Sequence, residues 1–414
     1  MSDTTEAAAK KIRAESPIVD AVCRQLAHQA RGDQADALVS FAEIFFSKAP
    51  PSFMKGRSPD TLAHLVKATF DFLDRSRPDR VDVEVVNPDV DNEGWYAPVT
   101  VIRTNVRERP FIVDTLREYL HKKQLPIESN VYPVVHVVRN EDGAVSEVRP
   151  SREGERRESL VHCEIGRVTD EELLEEIRSD VRRRLEDVVL ATNDFRAMVD
   201  ALDDTVKELD RAASVVQGSR KQEVAEVQAF LRWLREGAFV FLGYRAYELV
   251  DVEGARSVRL MDGSGLGVLR KEDESAYQTP VALGDLPSGV RTLAEEGPLL
   301  IISKTNAEST VHRGVRMDYI GVKRLDDEGR ICGEHRFIGL FTSKAYTEPA
   351  QGIPILREKL THILDQAGVQ AGSHDYKEIN TIFNSMPKEE LFLASAEEIG
   401  VDVRTVLTLS LIHI

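Results

Sequence analysis

Two segments of the sequence, MDYIGVKR at 317–324 and GEHRFIGLFTS at 333–343, constrain the fold more than any other part of the chain. In an extended backbone Met317 and Tyr319 share one face while Ile320 and Val322 share the other, so both faces carry apolar side chains and neither is simply solvated. Between the segments lies Leu325-Asp326-Asp327-Glu328-Gly329, an acidic loop with a late glycine, the composition of a short hairpin connection. Such a hairpin sits in the middle of a sheet. The same reading carries the strands back through Ser309-Thr310-Val311-His312-Arg313 and treats His312, Glu334, His335 and Arg336 as structural polar groups of that hairpin.

The chain before it changes period twice. Ser16-Pro17 marks a helix start, with Val19, Val22 and Leu26 at helical spacing over 17–30. Leu38, Phe41, Ile44 and Phe45 form a second stripe, ended by Pro50-Pro51. Leu62, Val66, Phe70 and Leu73 after Ser58-Pro59 form a third. From Val81 the pattern turns to strands, with 99–104 running into Asn105 and then into a helix opened by Pro110, where Ile112, Leu116 and Leu120 share a face. Residues 127–139 read as strand, with Pro133 marking an edge, a bulge or a strand start. Asn140-Glu141-Asp142-Gly143 reads as a hairpin turn, 160–165 as a further strand, and Thr169-Asp170-Glu171-Glu172 as a capping box before a long amphipathic helix. The order matches a ferredoxin-like α+β module. Helical stripes fill 194–237, with Gly237 suited to a C-terminal cap. A second α+β module then starts at Phe239, continues through strands at 259–270 and 298–305, includes the hairpin and closes with a helix over 353–366.

Composition excludes several function classes. The balance of 70 acidic against 54 basic residues, a net charge of -16, repels nucleic acid and anionic membrane surfaces. RNA binding through the aromatics Tyr319, Phe337 and Phe341 of a ferredoxin-like sheet is disfavoured for that reason. Cys23, Cys163 and Cys332 lie far apart, without the spacing of a zinc knuckle or a disulfide framework, and suit buried thiols in a reducing compartment. No apolar run approaches the roughly 18 residues of a membrane span and no secretory leader opens the chain, so a cytoplasmic location is expected.

Motifs that would carry chemistry do not form. Gly263, Gly265 and Gly267 approximate a dinucleotide loop, but the third glycine comes one residue early and 268–270 continues as strand rather than helix, so a turn is expected. No P-loop, H-E-x-x-H or G-x-S-x-G is present. His312 and His335 could be metal ligands with the adjoining Glu334, but no third spaced ligand is present, and hydrogen-bonded sheet histidines are expected instead. His162 and Glu164 share a strand face, read as a solvated edge.

STVHR, MDYIGVKR and GEHRFIGLFTS in this order and spacing, with PKEELF at 387–392, resemble the N-terminal part of the large bacterial NAD-specific glutamate dehydrogenases, over about residues 95–408. The resemblance implies an α+β fold: an N-terminal helical region at 1–80, a first ACT-like module at 81–192, a helical connector at 193–237, a second ACT-like module at 238–370 and the start of a helical segment at 371–408. It also implies oxidative deamination of L-glutamate with NAD as the cofactor of the full-length protein. Catalytic, cofactor-binding and metal-binding residues are expected to lie outside this chain, which lacks the lysine followed by two glycines of the family's substrate site. The junction formed by Asn105, Arg109, Pro110 and Phe111 resembles the ACT effector pocket, but Phe111 stands where a small residue usually leaves room for the ligand, so a packing role is expected. The implied partners are the chain's own catalytic domain, subunits of a homo-oligomer and an amino acid effector. The alternative is a stand-alone ACT-type amino-acid-binding protein. Leu409-Ser410-Leu411-Ile412-His413-Ile414 reads as an adapter-derived tail on a fragment.

Overall fold

Ser58 and Pro59 start a helix by the mechanism their residue types suggest: the Ser58 hydroxyl accepts the Thr61 N–H at 3.1 Å, and Pro59 takes the first helical position, where an N–H is not needed. This helix, α3 (Pro59–Arg75), follows α1 (Pro17–Gln29) and α2 (Asp33–Lys48). The computed structural model describes residues 11–29, 33–271, 273 and 275–412, so the N-terminal segment and His413-Ile414 of the expected tail lie outside the described residues. The described chain forms two compact units, Met1–Val189 with Thr310–Gly314, and Leu190–Ser309 with Val315–Ile414. It is α+β, with two antiparallel sheets.

The first unit carries a six-stranded sheet of β1 (Asp82–Val86), β2 (Val99–Arg107), β3 (Ile127–Val131), β4 (Val134–Arg139), β5 (Val145–Pro150) and β6 (Glu158–Gly166). The order is β1-β2-β6-β4-β5, and β3 also pairs with β6. Pro133 splits the expected single strand at 127–139: β3 pairs along β6, whereas β4 turns to β5. Val99, Val101, Val131, Val135 and Leu160 of the sheet share one hydrophobic cluster with Leu26, Phe41, Phe45, Val66 and Phe70 of the three helices. Each such side chain contributes about 1.5–3 kcal/mol by leaving water. The helix after β2, α4 (Ile112–Lys122), starts after Phe111 rather than at Pro110, and Phe111 adopts φ 75 at its N-cap. The long helix α5 (Glu171–Asn193) is capped by Asp170 rather than Thr169, because the Asp170 carboxylate accepts the Glu172 and Leu173 N–H groups at 2.9 and 3.4 Å.

The second unit opens with α6 (Phe195–Ala212) and α7 (Ser219–Trp233), and the chain reverses at Gly237, whose φ is 93. Its sheet comprises β7 (Phe239–Val252), β8 (Ala255–Leu260), β9 (Leu266–Gly267), β10 (Val281–Ala282), β11 (Leu300–Glu308), β12 (Arg316–Leu325) and β13 (Ile331–Phe341). The order β10-β8-β7-β13-β12-β11 puts the hairpin strand β13 in the interior, as its two apolar faces require. Helix α8 (Ser288–Glu296) precedes β11, and α9 (Leu356–Ala367), α10 (His374–Ser385) and α11 (Ala396–Ile412) follow the hairpin.

Three local expectations give way. The run STVHR is bend rather than strand, and His312 sits at φ 66, so it is a loop histidine. The strand expected over 259–270 ends at Leu260, and residues 268–270 turn instead of extending. The helix expected from 353 begins at Leu356, after Ile355 at φ 72. Among the described residues no helix is long and apolar enough to cross a membrane.

Candidate functional site

At the strand-to-helix junction of the first unit the candidate side chains contact neighbours within that unit. Asn105 is fully buried on β2 and donates to Glu158 Oε2 at 2.7 Å, and Glu158 also meets Arg139 at 3.0 Å. Arg109 donates to the carbonyls of Arg107 and Val189 at 3.0 and 3.2 Å. Pro110 leads into Phe111, whose ring centroid lies 5.0 Å from that of His312, and the His312 N–H donates to Thr115 Oγ1 at 2.9 Å. Asn105, Arg109 and Phe111 are thus engaged with separate partners.

His162 and Glu164 occupy an interior strand, not a solvated edge. Their side chains are 0% and 1% exposed because β6 is flanked on both sides by paired strands. His162 Nε2 lies 3.3 Å from Glu164 Oε1, its Nδ1 lies 3.2 Å from Thr69 Oγ1, and Arg57 reaches both Glu164 oxygens at 2.9 and 2.5 Å. Burial lowers the His162 pKa against the opposing pull of Glu164. Burial also works to raise that of Glu164, but His162 and Arg57 outweigh it and hold the carboxylate at about 2. The hydroxyl, imidazole and carboxylate succession looks catalytic. However, the Thr69 hydroxyl donates to the Leu65 carbonyl at 2.8 Å, and the rings of Phe45 and Phe53 meet the imidazole edge-on, so this cluster is a core polar network.

The second unit holds a cavity with a different character. Antiparallel register places Lys323, Glu334 and Tyr247 side by side on β12, β13 and β7, with Gly321, Arg336 and Arg245 in the next row on the same face. Glu334 accepts from the Tyr319 hydroxyl and from Lys323 Nζ, the latter at 2.7 Å. Arg336 donates from Nε to the Tyr319 hydroxyl at 3.3 Å and from Nη1 to the Tyr247 hydroxyl at 3.0 Å, and its guanidinium carbon lies 4.2 Å from the Tyr247 ring centroid. Burial works to raise the Glu334 pKa, yet Lys323 and Arg336 hold it below the usual carboxylate range. Burial pushes the Tyr319 phenol up. This network floors a cavity of about 190 Å³ whose walls are apolar, including Leu249, Val258, Leu283, Leu286 and Leu293. His335, between these charges in sequence, and Phe337, just after them, face the other way: His335 meets Tyr244 and Glu208 at 2.8 and 3.0 Å. Glu334 and Arg336 are therefore cavity groups as well as hairpin groups. The signal in the sequence was two charges at i and i+2 in a strand with no solvated face, opposite Tyr319 and Lys323.

The glycine segment does not fit a dinucleotide. The Gly267 N–H donates to Asp194 Oδ2 at 2.8 Å, Arg270 pairs with the same carboxylate, and β9 is followed by a turn rather than a helix N-terminus. Among the described residues His374, Asp375 and Glu378 place ligand atoms within 4.8 Å of one another, but on an exposed helical surface where acidic neighbours are ordinary.

Comparison with known proteins gives these units a class. The ACT1 domain of glutamate dehydrogenase matches residues 41–181, and helical motif 1 of glutamate dehydrogenase matches residues 353–411. The chain thus carries glutamate dehydrogenase domains in both units. The NAD-specific glutamate dehydrogenase of Halomonas elongata is 30% identical over 373 residues, which cover 89% of this chain and 23% of the relative. That of Pseudomonas aeruginosa is 29% identical over 376 residues, covering 90% and 23%. That of Mycobacterium tuberculosis is 26% identical over 304 residues, covering 72% and 17%. The chain belongs to the NAD-specific glutamate dehydrogenase family, corresponds to an N-terminal part of it, and spans less than a quarter of the length of these relatives.

Proposed function

We propose that the chain is the regulatory and subunit-packing part of an NAD-dependent glutamate dehydrogenase acting in amino acid catabolism. The whole enzyme would convert L-glutamate and water to 2-oxoglutarate and ammonium, the hydride passing to NAD, in the cytoplasm. The observation that carries this reading is the pair of family matches, an ACT1 domain at 41–181 and helical motif 1 at 353–411, in a chain less than a quarter as long as its relatives. In this reading the two sheet units are ACT-like modules joined by the helices of 193–237, and NAD and glutamate bind elsewhere in the enzyme. The contacts that Asn105, Arg109 and Phe111 already make around Pro110 favour packing over effector binding there. A stand-alone amino-acid-binding protein is the weaker reading, since three relatives share one enzyme name.

The purified chain is expected to give no glutamate-dependent NADH formation and to self-associate with rising concentration in light scattering. NADH production would place catalysis in this chain and overturn the reading. A strict monomer at every concentration would remove the packing role.

A further inference from the structure

We propose that the cavity floored by Tyr319, Lys323, Glu334 and Arg336 is a binding site for a small amphipathic monocarboxylate. This rests on the geometry of the second unit and stands whether or not the dehydrogenase reading does.

The floor is built for an anion. Two cations, Lys323 and Arg336, face one carboxylate, Glu334, which leaves an uncompensated positive charge under low-dielectric walls. Donors also remain to be used. An ammonium has three N–H groups and a guanidinium five. Among the described residues Lys323 Nζ hydrogen-bonds to Glu334, while Arg336 is shared among the Tyr319 and Tyr247 hydroxyls and Glu334 Oε1. Lys323 lines the cavity and is only 4% exposed, so its remaining N–H groups have little access to bulk water, and an unmet donor there is costly. Arg245, on the same face, is a further cation, and the carbonyls of Leu269 and Lys271 that hold it carry no charge to offset it.

The walls select the rest of the ligand. Leu249 and Val258 on one side, with Leu283, Leu286 and Leu293 above, offer hydrocarbon and no charge. A volume of about 190 Å³ suits a ligand of about eight non-hydrogen atoms, given that a cavity of about 150 Å³ takes benzene. The roof itself suggests incomplete filling. Helix α8 has no buried residue, and Val290 and Leu293, which line the cavity, are 43% and 44% exposed. A zwitterionic amino acid fits less well than a simple acid of the same shape, because its ammonium would join two cations already present.

Calorimetric titration of the full chain with 4-methylpentanoate, 4-methylpentanamide and leucine tests this. Saturable binding of the carboxylate at about 1 mM or tighter is expected, a reachable affinity for eight atoms. It should exceed the binding of the amide and of leucine by about tenfold, the worth of a charge-assisted contact. Lys323→Met should erase that preference, and Leu293→Trp, which fills the cavity from an exposed helix, should abolish binding with an unchanged circular dichroism spectrum. Leu293→Trp and the wild-type ligand ranking keep the test decisive if Lys323→Met does not fold. Absence of saturation with all three compounds, equal binding of amide and carboxylate, stronger binding of leucine, or binding retained in Leu293→Trp would each overturn the proposal.

Discussion

Gly321 leaves the space that the ring of Tyr319 occupies: a Cβ on Gly321 would lie 2.8 Å from Tyr319 Cε1 and 3.0 Å from its hydroxyl oxygen. Gly321 stands opposite Arg336 in the β12 and β13 register, so its missing side chain is what allows the tyrosine to lean across and reach Glu334 and Arg336. Gly321→Ala should push the phenol aside and cost about 1–3 kcal/mol by overpacking. The urea midpoint should fall and the tyrosine fluorescence should change, whereas Gly284→Ala, with open space around it, should leave both unchanged.

Arg57 holds the buried carboxylate of Glu164 with two hydrogen bonds from a side chain that is itself 20% exposed. Arg57→Ala should cost about 3–5 kcal/mol, because it leaves an uncompensated charge inside the sheet. Adding Glu164→Gln to Arg57→Ala should recover much of that loss, and a double-mutant cycle on denaturant midpoints measures the coupling.

The same network sets a pH response. The folded-state pKa of His162 is lowered, so as pH falls below the ordinary histidine range the unfolded chain binds a proton that the folded chain does not, and stability drops. Glu164 has a folded value of about 2 against an ordinary 4.5, and its contribution is present above pH 4.5 and lost as pH falls toward 2. Unfolding midpoints should therefore decline from neutral pH downward in two stages. His162→Gln should flatten the first stage and shrink the second, which Arg57 alone then supports.

Phe111 has φ 75, a conformation costing a bulky residue roughly 1–3 kcal/mol, and is kept there by its ring contact with His312. Phe111→Gly should change stability little, relief of the backbone offsetting loss of the ring. Phe111→Ala keeps the strain and loses the ring, so its thermal midpoint should fall below that of Phe111→Gly. The reverse order would show that the positive φ carries no cost.

Much of the architecture was legible because hydrophobic period reports it directly. The stripe of Leu62, Val66, Phe70 and Leu73 became α3, and the two apolar faces around Tyr319 and Ile320 required an interior hairpin. What was not legible depends on sequence-distant neighbours. His162 and Glu164 look like a wet edge until β2 and β3 are seen to pair with β6. Phe111, His312 and Ile355 adopt positive φ, which local propensity disfavours and tertiary contacts impose. The cavity floor joins Tyr247, Tyr319 and Glu334 from three strands, and no motif spacing encodes that meeting.

The unequal anchoring of floor and roof has a temporal consequence. Strand β13 is paired along both edges, so its amides should exchange with deuterium only when the second unit unfolds as a whole. Helix α8, with no buried residue, should exchange orders of magnitude sooner. The cavity is therefore hinged on a slow wall and closed by a fast one. Whatever enters it must pass on the clock of 288–296, and occupancy should register there first, as slowed exchange in a helix that alone has little to hold it.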